Sequence, residues 1–487
     1  MRRRRIRRGI GMHQNGRSLT TSRLTRRSLV QGSAGAALAA SLPFGTMRQA
    51  AGQAATPVEI PRAKSSATVD GKLEVLQKAD FHPDHNAFVR AEIAAFCEAQ
   101  GWDVEVTELG GAQSSGEILQ RLTAGVKAGN APDLYFDNIP QRQFQYQGVL
   151  SKVDDLMAEM VAANGETTPG MTTAGNFDNA WWGIPWFTRI DGWWARNDIF
   201  GPAGVDVKTL TTLDQRRDAA LAISDAANKR WGWGITINRS TDARLLVQTV
   251  LYAFGSTLQD ESGDKVTFDS PESVAALEWL ADTYSNPKWA PMLPTGWGSW
   301  TDPSNNEAFL AGTLVLTQNA GTLYAKANLD GVPFAKDIAY MPTVVRNSDG
   351  AQLDQLAGVF LHVIEGTKNR DAVYDLVRHL LSTPVQQRIW QISRAYAVPA
   401  YKNGWSDPII TGSPNSIAAE PAVWNNIDFT GLRWPGPSSV AVDAVAGSFD
   451  QTDMVAEVLQ GKSAQDVVKD YQQRWIQVWQ DFGLPGE

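Results

Sequence analysis

The sequence predicts an α/β fold built on a largely parallel sheet. Three observations carry this. From Lys72 onward, apolar runs with strand spacing alternate with runs at helix spacing. Two of the strand-like runs stop at polar residues, Asp80 to His82 and Phe136 to Asn138, and ligands of parallel sheets bind beyond such strand ends. Finally, Trp181 to Asn197 reads WWGIPWFTRIDGWWARN, in which rings and charges share one short segment.

Leu73 and Val75 open a first strand that ends near KADFHPDH. Phe88 to Gln100 has helical spacing, and Trp102, Val104 and Val106 alternate as a strand does. Ser114 with Glu117 predicts a capping box ahead of a helix through Ile118, Leu119, Leu122 and Val126. GNAPDLYFDN is a turn and a short strand ending at Asp137. Past the Trp-rich stretch, TLTTLDQRRDAALAISDAA predicts a helix. WGWGITINRSTDARLLVQTVLYAFG predicts an aromatic strand, a turn and a helix, and VTFDSPESVAALEWL a short strand and a helix opened by Ser270 and Pro271. GWGSW, with Trp297 and Trp300, is a second Trp-rich loop. NNEAFLAGTLVLTQNAG gives a helix and a buried strand ending at Gln318 and Asn319. IAYMPTVV and LAGVFLHVIE are further strands, and Asp371 to Leu381 and Val385 to Ile392 are helices. The chain closes on a helix striped by Val467, Val468, Tyr471, Trp475, Val478 and Trp479.

The 487 residues allow two or three domains. With 43% hydrophobic and 20% charged residues the chain is globular. Residues 1–54 hold eleven arginines and no acidic residue, so the remainder carries 33 basic against 52 acidic side chains, a net charge of −19. A body that acidic is not expected to bind nucleic acid or anionic lipid. Cys97 is the single cysteine, at a core position of a predicted helix, so no internal disulfide forms.

Arg26 and Arg27 precede a short apolar run from about Leu29 to Phe44, too weak for a membrane span of roughly 20 strongly apolar residues. Such a leader resembles a twin-arginine (Tat) export signal, cleaved after Gly52-x-Ala54 or Ala37-x-Ala39. Residues 55–71 read as a linker.

Tests for chemistry select no catalytic residue. GKS at 461–463 lacks the glycine that a phosphate loop places five positions earlier, and GxSxG and HExxH do not occur. His82, Asp84 and His85 are spaced as ligands could be, but zinc needs further His or Cys partners, so neither metal nor cofactor is expected. A glycosidase-type carboxylate pair stays open, because separation in space defines such pairs. The Trp-rich stretch suits a cleft instead: flat apolar faces beside Arg189 and Asp191 match a sugar, which has C–H faces and hydroxyls. Its other reading is a core strand with a Trp-rich end.

Six pieces in order, LQRLTAGVKAGNAPDLYFDN, GVLSKVDDL, WWGIPWFTRIDGWWARNDIFGPAGV, VTFDSPESVAALEWL, NNEAFLAGTLVLTQNAG and TKNRDAVYDLVRHLLSTPVQQ followed by AYAVPAY, make the chain resemble extracellular solute-binding proteins of ATP-driven (ABC) importers, in their sugar-binding branch. The resemblance implies a periplasmic-binding-protein-like type II fold, two hinged lobes with ligand between them. The chain would cross near Pro185–Trp186, return near Asp354–Leu356 and cross again near Ala397–Pro399. That gives residues 72–185 and 357–397 to one lobe, and 186–356 and 398–487 to the other. It implies ligand contacts at Asp80, His82, Asp137, Trp186, Arg189, Asn238, Asp242, Asn319, Tyr324 and Tyr396, to which the Trp-rich segments add Asp191 and Trp300. The expected function is a monomeric carbohydrate receptor that closes on its ligand and delivers it to a membrane permease without breaking a bond. A same-fold receptor for a polyamine or peptide, and a secreted carbohydrate-active enzyme, are the alternatives.

Overall fold

A computed structural model describes residues 59–109, 115–341, 344–353, 356–425 and 432–487. The expected leader and its cleavage positions, the capping Ser114 and the crossing residue Asp354 lie outside these residues.

The described strands are β1 (Leu73–Lys78), β2 (Val104–Leu109), β3 (Leu134–Asp137), β4 (Asn176–Phe177), β5 (Ala180–Trp181), β6 (Ile184–Arg196), β7 (Leu316–Ala320), β8 (Ile338–Met341), β9 (Val344–Val345), β10 (Gln352–Leu353), β11 (Leu356–Val363) and β12 (Ala397–Pro399). The main sheet runs β12-β6-β11-β3-β1-β2, with β7 and β8 also paired to β6. Only β2-β1-β3 is parallel, as right-handed strand–helix–strand units require. The expectation of a largely parallel sheet holds for those three alone. β11 and β12 enter reversed and pair antiparallel with the first half of β6.

β6 is the organising strand. Its first half faces β11 and β12, and its second half faces β7 and β8. The partners change at Ile190, whose N–H donates to the Tyr396 carbonyl at 3.2 Å and whose carbonyl accepts from Gly321 at 2.7 Å. The residues of the expected crossings lie on these paired strands: Pro185–Trp186 in β6, Leu356 of β11 opposite Ile190, and Ala397–Pro399 of β12 opposite Arg189 to Phe187.

Two apolar cores meet along this strand. Successive strand side chains point to opposite faces, so Trp194 enters one core, which also holds Trp186, while Trp193 enters the other with Trp233 and Trp475. Trp182, Trp186, Trp193 and Trp194 are all buried, and Trp181 is half-buried. With both edges of β6 paired and a core on each face, its rings Trp186, Trp193 and Trp194 have nowhere to go but inward. The core-strand reading of these three rings is the one the structure adopts, and Trp182, ahead of β6, is buried in a separate cluster with Tyr135 and Phe144.

Helix starts follow their sequence signals. Ser270 accepts from the Ser273 N–H ahead of helix Pro271–Ser285, and Thr212 with Gln215 forms a capping box for helix Leu213–Ala222. The stripe of helix Ala464–Asp481 buries Val467, Val468, Tyr471, Trp475 and Trp479. Two expected strands do not form. WGWGITIN makes only scattered bonds beside β7, among them the Gly234 N–H to the Leu316 carbonyl at 2.9 Å, and Ala220 and Leu314 leave no room for a side chain at Gly232 or Gly234. In VTF, the Val266 N–H is taken by the Gly486 carbonyl at 3.0 Å, and only an isolated bridge to Gln259 remains.

Candidate functional site

Arg189 and Asp191 stand two residues apart on β6, so they share a face of the strand. The guanidinium grips the carboxylate twice, Nε to Oδ1 at 2.8 Å and Nη2 to Oδ2 at 2.6 Å. Asp191 is buried and Arg189 nearly so. Burial works against the charge on Arg189, but Asp191, Asp80 and Tyr396 together hold its pKa well above the ordinary value.

On one side the pair meets the end of β1. Tyr396, fully buried, donates its hydroxyl to Asp80. Burial pushes the Asp80 carboxyl upward, yet Arg189, Lys78 and the Tyr396 hydroxyl outweigh it and hold the carboxyl below its usual range. Asp137, at the end of β3, accepts from the Tyr135 hydroxyl at 2.8 Å and pairs with Lys78 at 3.2 Å.

On the other side lie the end of β7 and the start of helix Thr241–Phe254. Asn319 donates to Asp242 Oδ2 at 2.8 Å, and Asn305 donates to the same oxygen at 2.7 Å. Asn319 also reaches Asn306. Burial, then the neighbouring Asp302, raises the Asp242 carboxyl well above the ordinary range. Asp302 accepts from the Thr241 N–H at 3.0 Å and so holds the helix start. Asn238 donates to the Trp300 carbonyl, and its buried Oδ1 has no hydrogen-bond partner.

Of the residues expected from sequence, Asp80, Arg189, Asp191, Asp242, Asn319 and Tyr396 thus form one linked polar cluster. Asp137 stands beside it through Lys78, and Asn238 and Trp300 are joined to each other. Tyr324 is half-buried and stacks on Trp194, with ring centroids 5.8 Å apart and planes 6° off parallel. Two residues are taken up by the protein's own packing. Trp186 is 1% exposed, edge-on to Phe136 at 4.9 Å and against Phe187 at 5.1 Å, so its ring is core packing. His82 is fully buried: it caps helix Pro83–Gln100, and its Nε2 bonds the Ile392 carbonyl at 3.1 Å. His85 bonds Ser393 Oγ at 2.9 Å, and among the described residues no three His, Cys, Asp or Glu side chains gather as metal ligands. Cys97 is buried, and burial pushes its thiol up to about 12.

Sequence reasoning missed Asn305, Asn306, Asp302 and Arg244. The available signal was NNEAFL, where two asparagines precede an apolar run and are nevertheless buried. It also missed a cavity of about 150 Å³ lined by Asn138, Gln141 and Arg142 from one side and by Arg244, Arg433 and Asp443 from the other. The charges of Asp302 and Arg189 both act on Arg244, which puts this wall of the cavity near the cluster. Across it, the Arg142 N–H donates to Asp443 at 3.2 Å.

The family model of bacterial extracellular solute-binding proteins matches residues 91–411, more than half of the chain. A protein of Escherichia coli (strain K12), assigned as the ABC transporter periplasmic-binding protein YcjN, is 25% identical over 170 residues; the match spans 35% of this chain and 36% of that protein's length. Among solved structures, maltose-bound MalE3 of T. maritima superposes with a TM-score of 0.69 at 20% identity, covering 83% of this chain and 99% of that one. A solute-binding protein of an ABC transporter from Agrobacterium radiobacter K84, in complex with ribitol, gives 0.68 at 16% identity, covering 82% and 97%. A sugar transporter from Arthrobacter chlorophenolicus A6 with bound laminaribiose gives 0.67 at 16% identity, covering 83% and 98%. These structures share the fold, and the family match states the rest: the chain belongs to the bacterial extracellular solute-binding proteins.

Proposed function

We propose that the protein is the carbohydrate receptor of an ABC importer and binds its ligand at the polar cluster centred on Arg189 and Asp191. The observation that carries this reading is the convergence of hydrogen-bonding groups from both flanks of β6. Asp80 and Tyr396 arrive from one side, Asp242, Asn305 and Asn319 from the other, and the charges of the ion pair between them act on both. A polyhydroxylated solute needs many donors and acceptors fixed in advance, and charged groups make the stronger bonds. The sugar- and polyol-bound neighbours of the same fold support the ligand class.

Residues 72–185 and 357–397 would form one lobe, and 186–356 and 398–487 the other, with β6, β11 and β12 as hinge. The ligand favours the closed state through contacts that only that state makes. The loaded receptor, a monomer, then docks on its permease and releases the solute unaltered, with no catalytic step. The leader, with Arg26 and Arg27, would send the folded protein out through the Tat route. Among the described residues no helix is long and apolar enough to cross a membrane.

Thermal melting of the mature protein with a panel of neutral sugars, acidic sugars, polyamines and peptides tests the reading. A ligand at 100 times its Kd stabilises the native state by about 2.7 kcal/mol, which moves the melting temperature measurably. A shift with sugars and none with amines or peptides is expected. The reverse pattern transfers the protein to another solute class, and release of reducing ends from an oligosaccharide makes it an enzyme.

A further inference from the structure

We infer that the solute is an acidic carbohydrate, a sugar bearing an anionic group that Arg244 receives in the cavity beside the β6 cluster. The inference rests on the carbohydrate reading above and narrows it.

Among the described residues that line the cavity, three are arginines, Arg142, Arg244 and Arg433, and one is a carboxylate, Asp443, in a chain whose residues beyond the leader carry a net charge of −19. The carboxylates of the neighbouring cluster are already engaged: Asp191 by Arg189, Asp80 by Tyr396, and Asp137 by Lys78 and Tyr135. Asp242 is held by two asparagine amides. Arg244 has no such counterpart. Its Nη1 donates to the Gly447 carbonyl at 3.2 Å, its Nε is buried with no hydrogen-bond partner, and it pairs with no carboxylate among the described residues.

Burial depresses its pKa to about 10, with Asp302 opposing that and Arg189 adding to it. A guanidinium kept from water without an anion is costly, and a planar carboxylate, phosphate or sulfate that accepts two of its N–H groups removes that cost. Gln141, which lines the same cavity, is 3% exposed and neither of its amide atoms is bonded, so further donor and acceptor capacity stands beside the arginines. Arg142 is held in place from below, its Nη2 on the Thr173 carbonyl at 3.0 Å and its guanidinium 4.4 Å over the Phe177 ring.

Titration calorimetry on the mature protein tests this with matched pairs: galactose and galacturonate, glucose and glucuronate, glucose and glucose 6-phosphate, and inorganic phosphate alone. At least one acidic sugar should bind tenfold or more tighter than its neutral partner. The uronate and phosphate arms decide which anion is preferred. The preference should shrink with rising salt. Arg244→Gln should reduce it to less than threefold, and Arg244→Lys, which keeps the charge, should retain most of it. Equal binding of neutral and acidic partners would overturn the inference and leave the carbohydrate reading standing. Inorganic phosphate binding as tightly as the best sugar would also overturn it, because the ring would then contribute nothing. No heat with any sugar would remove the carbohydrate reading and this inference together.

Discussion

Asp242 shows how burial sets the character of one side chain. Asn305 and Asn319 both donate to its Oδ2, while burial and Asp302 push its pKa up, so the site favours a carboxyl that keeps its proton. Asp242→Asn keeps an acceptor for both amides and should leave stability at neutral pH nearly unchanged. Asp242→Ala orphans them and should cost about 1–3 kcal/mol, read by urea unfolding. The two variants falling equally would contradict this account.

His85 and His362 act in the opposite sense. Burial lowers each to about 3, with the charge on His82 adding to the effect at His85. The unfolded chain then binds more protons than the folded one between about pH 6.5 and pH 3, so stability falls as pH drops through that window. At pH 5 the loss is roughly 2 kcal/mol for each histidine. Unfolding free energy measured from pH 7.5 to pH 4.5 should decline from near pH 6.5, and a flat profile down to pH 5 would contradict the burial argument.

At the scale of elements, β6 explains what the sequence disclosed and what it hid. The alternation of strands and helices, the helix caps at Ser270 and Thr212, and the polar ends of β1, β3 and β7 are local signals, and they were legible. So were Arg189 and Asp191, since two charges among rings do not belong in an ordinary core strand. The rings themselves misled. Trp186 has the composition of a cleft residue, but pairing on both edges of β6 decides its place, and pairing is not written in local sequence. Arg244 and Asp443 were illegible for the same reason, because only tertiary packing brings them to one cavity.

Trp186→Ala should therefore act on the fold, costing about 3–5 kcal/mol as a large-to-small core change. A folded variant of unchanged stability with weakened ligand binding would return that ring to the cleft. Gly321 gives a second test. A Cβ there would lie 2.5 Å from the Ala395 carbonyl oxygen and 2.8 Å from Tyr396 Cα, both backbone atoms. Gly321→Ala should push the Tyr396 segment away from β6, costing about 1–3 kcal/mol of stability and weakening ligand binding together. Unaltered binding would mean that the placement of Tyr396 does not matter to the site.

For the whole molecule, two cores share one continuous strand, and the proposed hinge is the point where the partners of that strand change. The changeover at Ile190 lies between Arg189 and Asp191, so the proposed hinge and the proposed ligand cluster coincide. A ligand bridging that point would couple binding to closure, and closure would be the signal a permease reads. The most direct test is a crystal structure of the mature chain with the sugar that raises its melting temperature most. The account predicts a ligand within hydrogen-bond distance of the Arg189–Asp191 pair, touching Asp80 or Tyr396 on one side and Asp242, Asn319 or Arg244 on the other. A ligand bound to one side only, or away from β6, would contradict it.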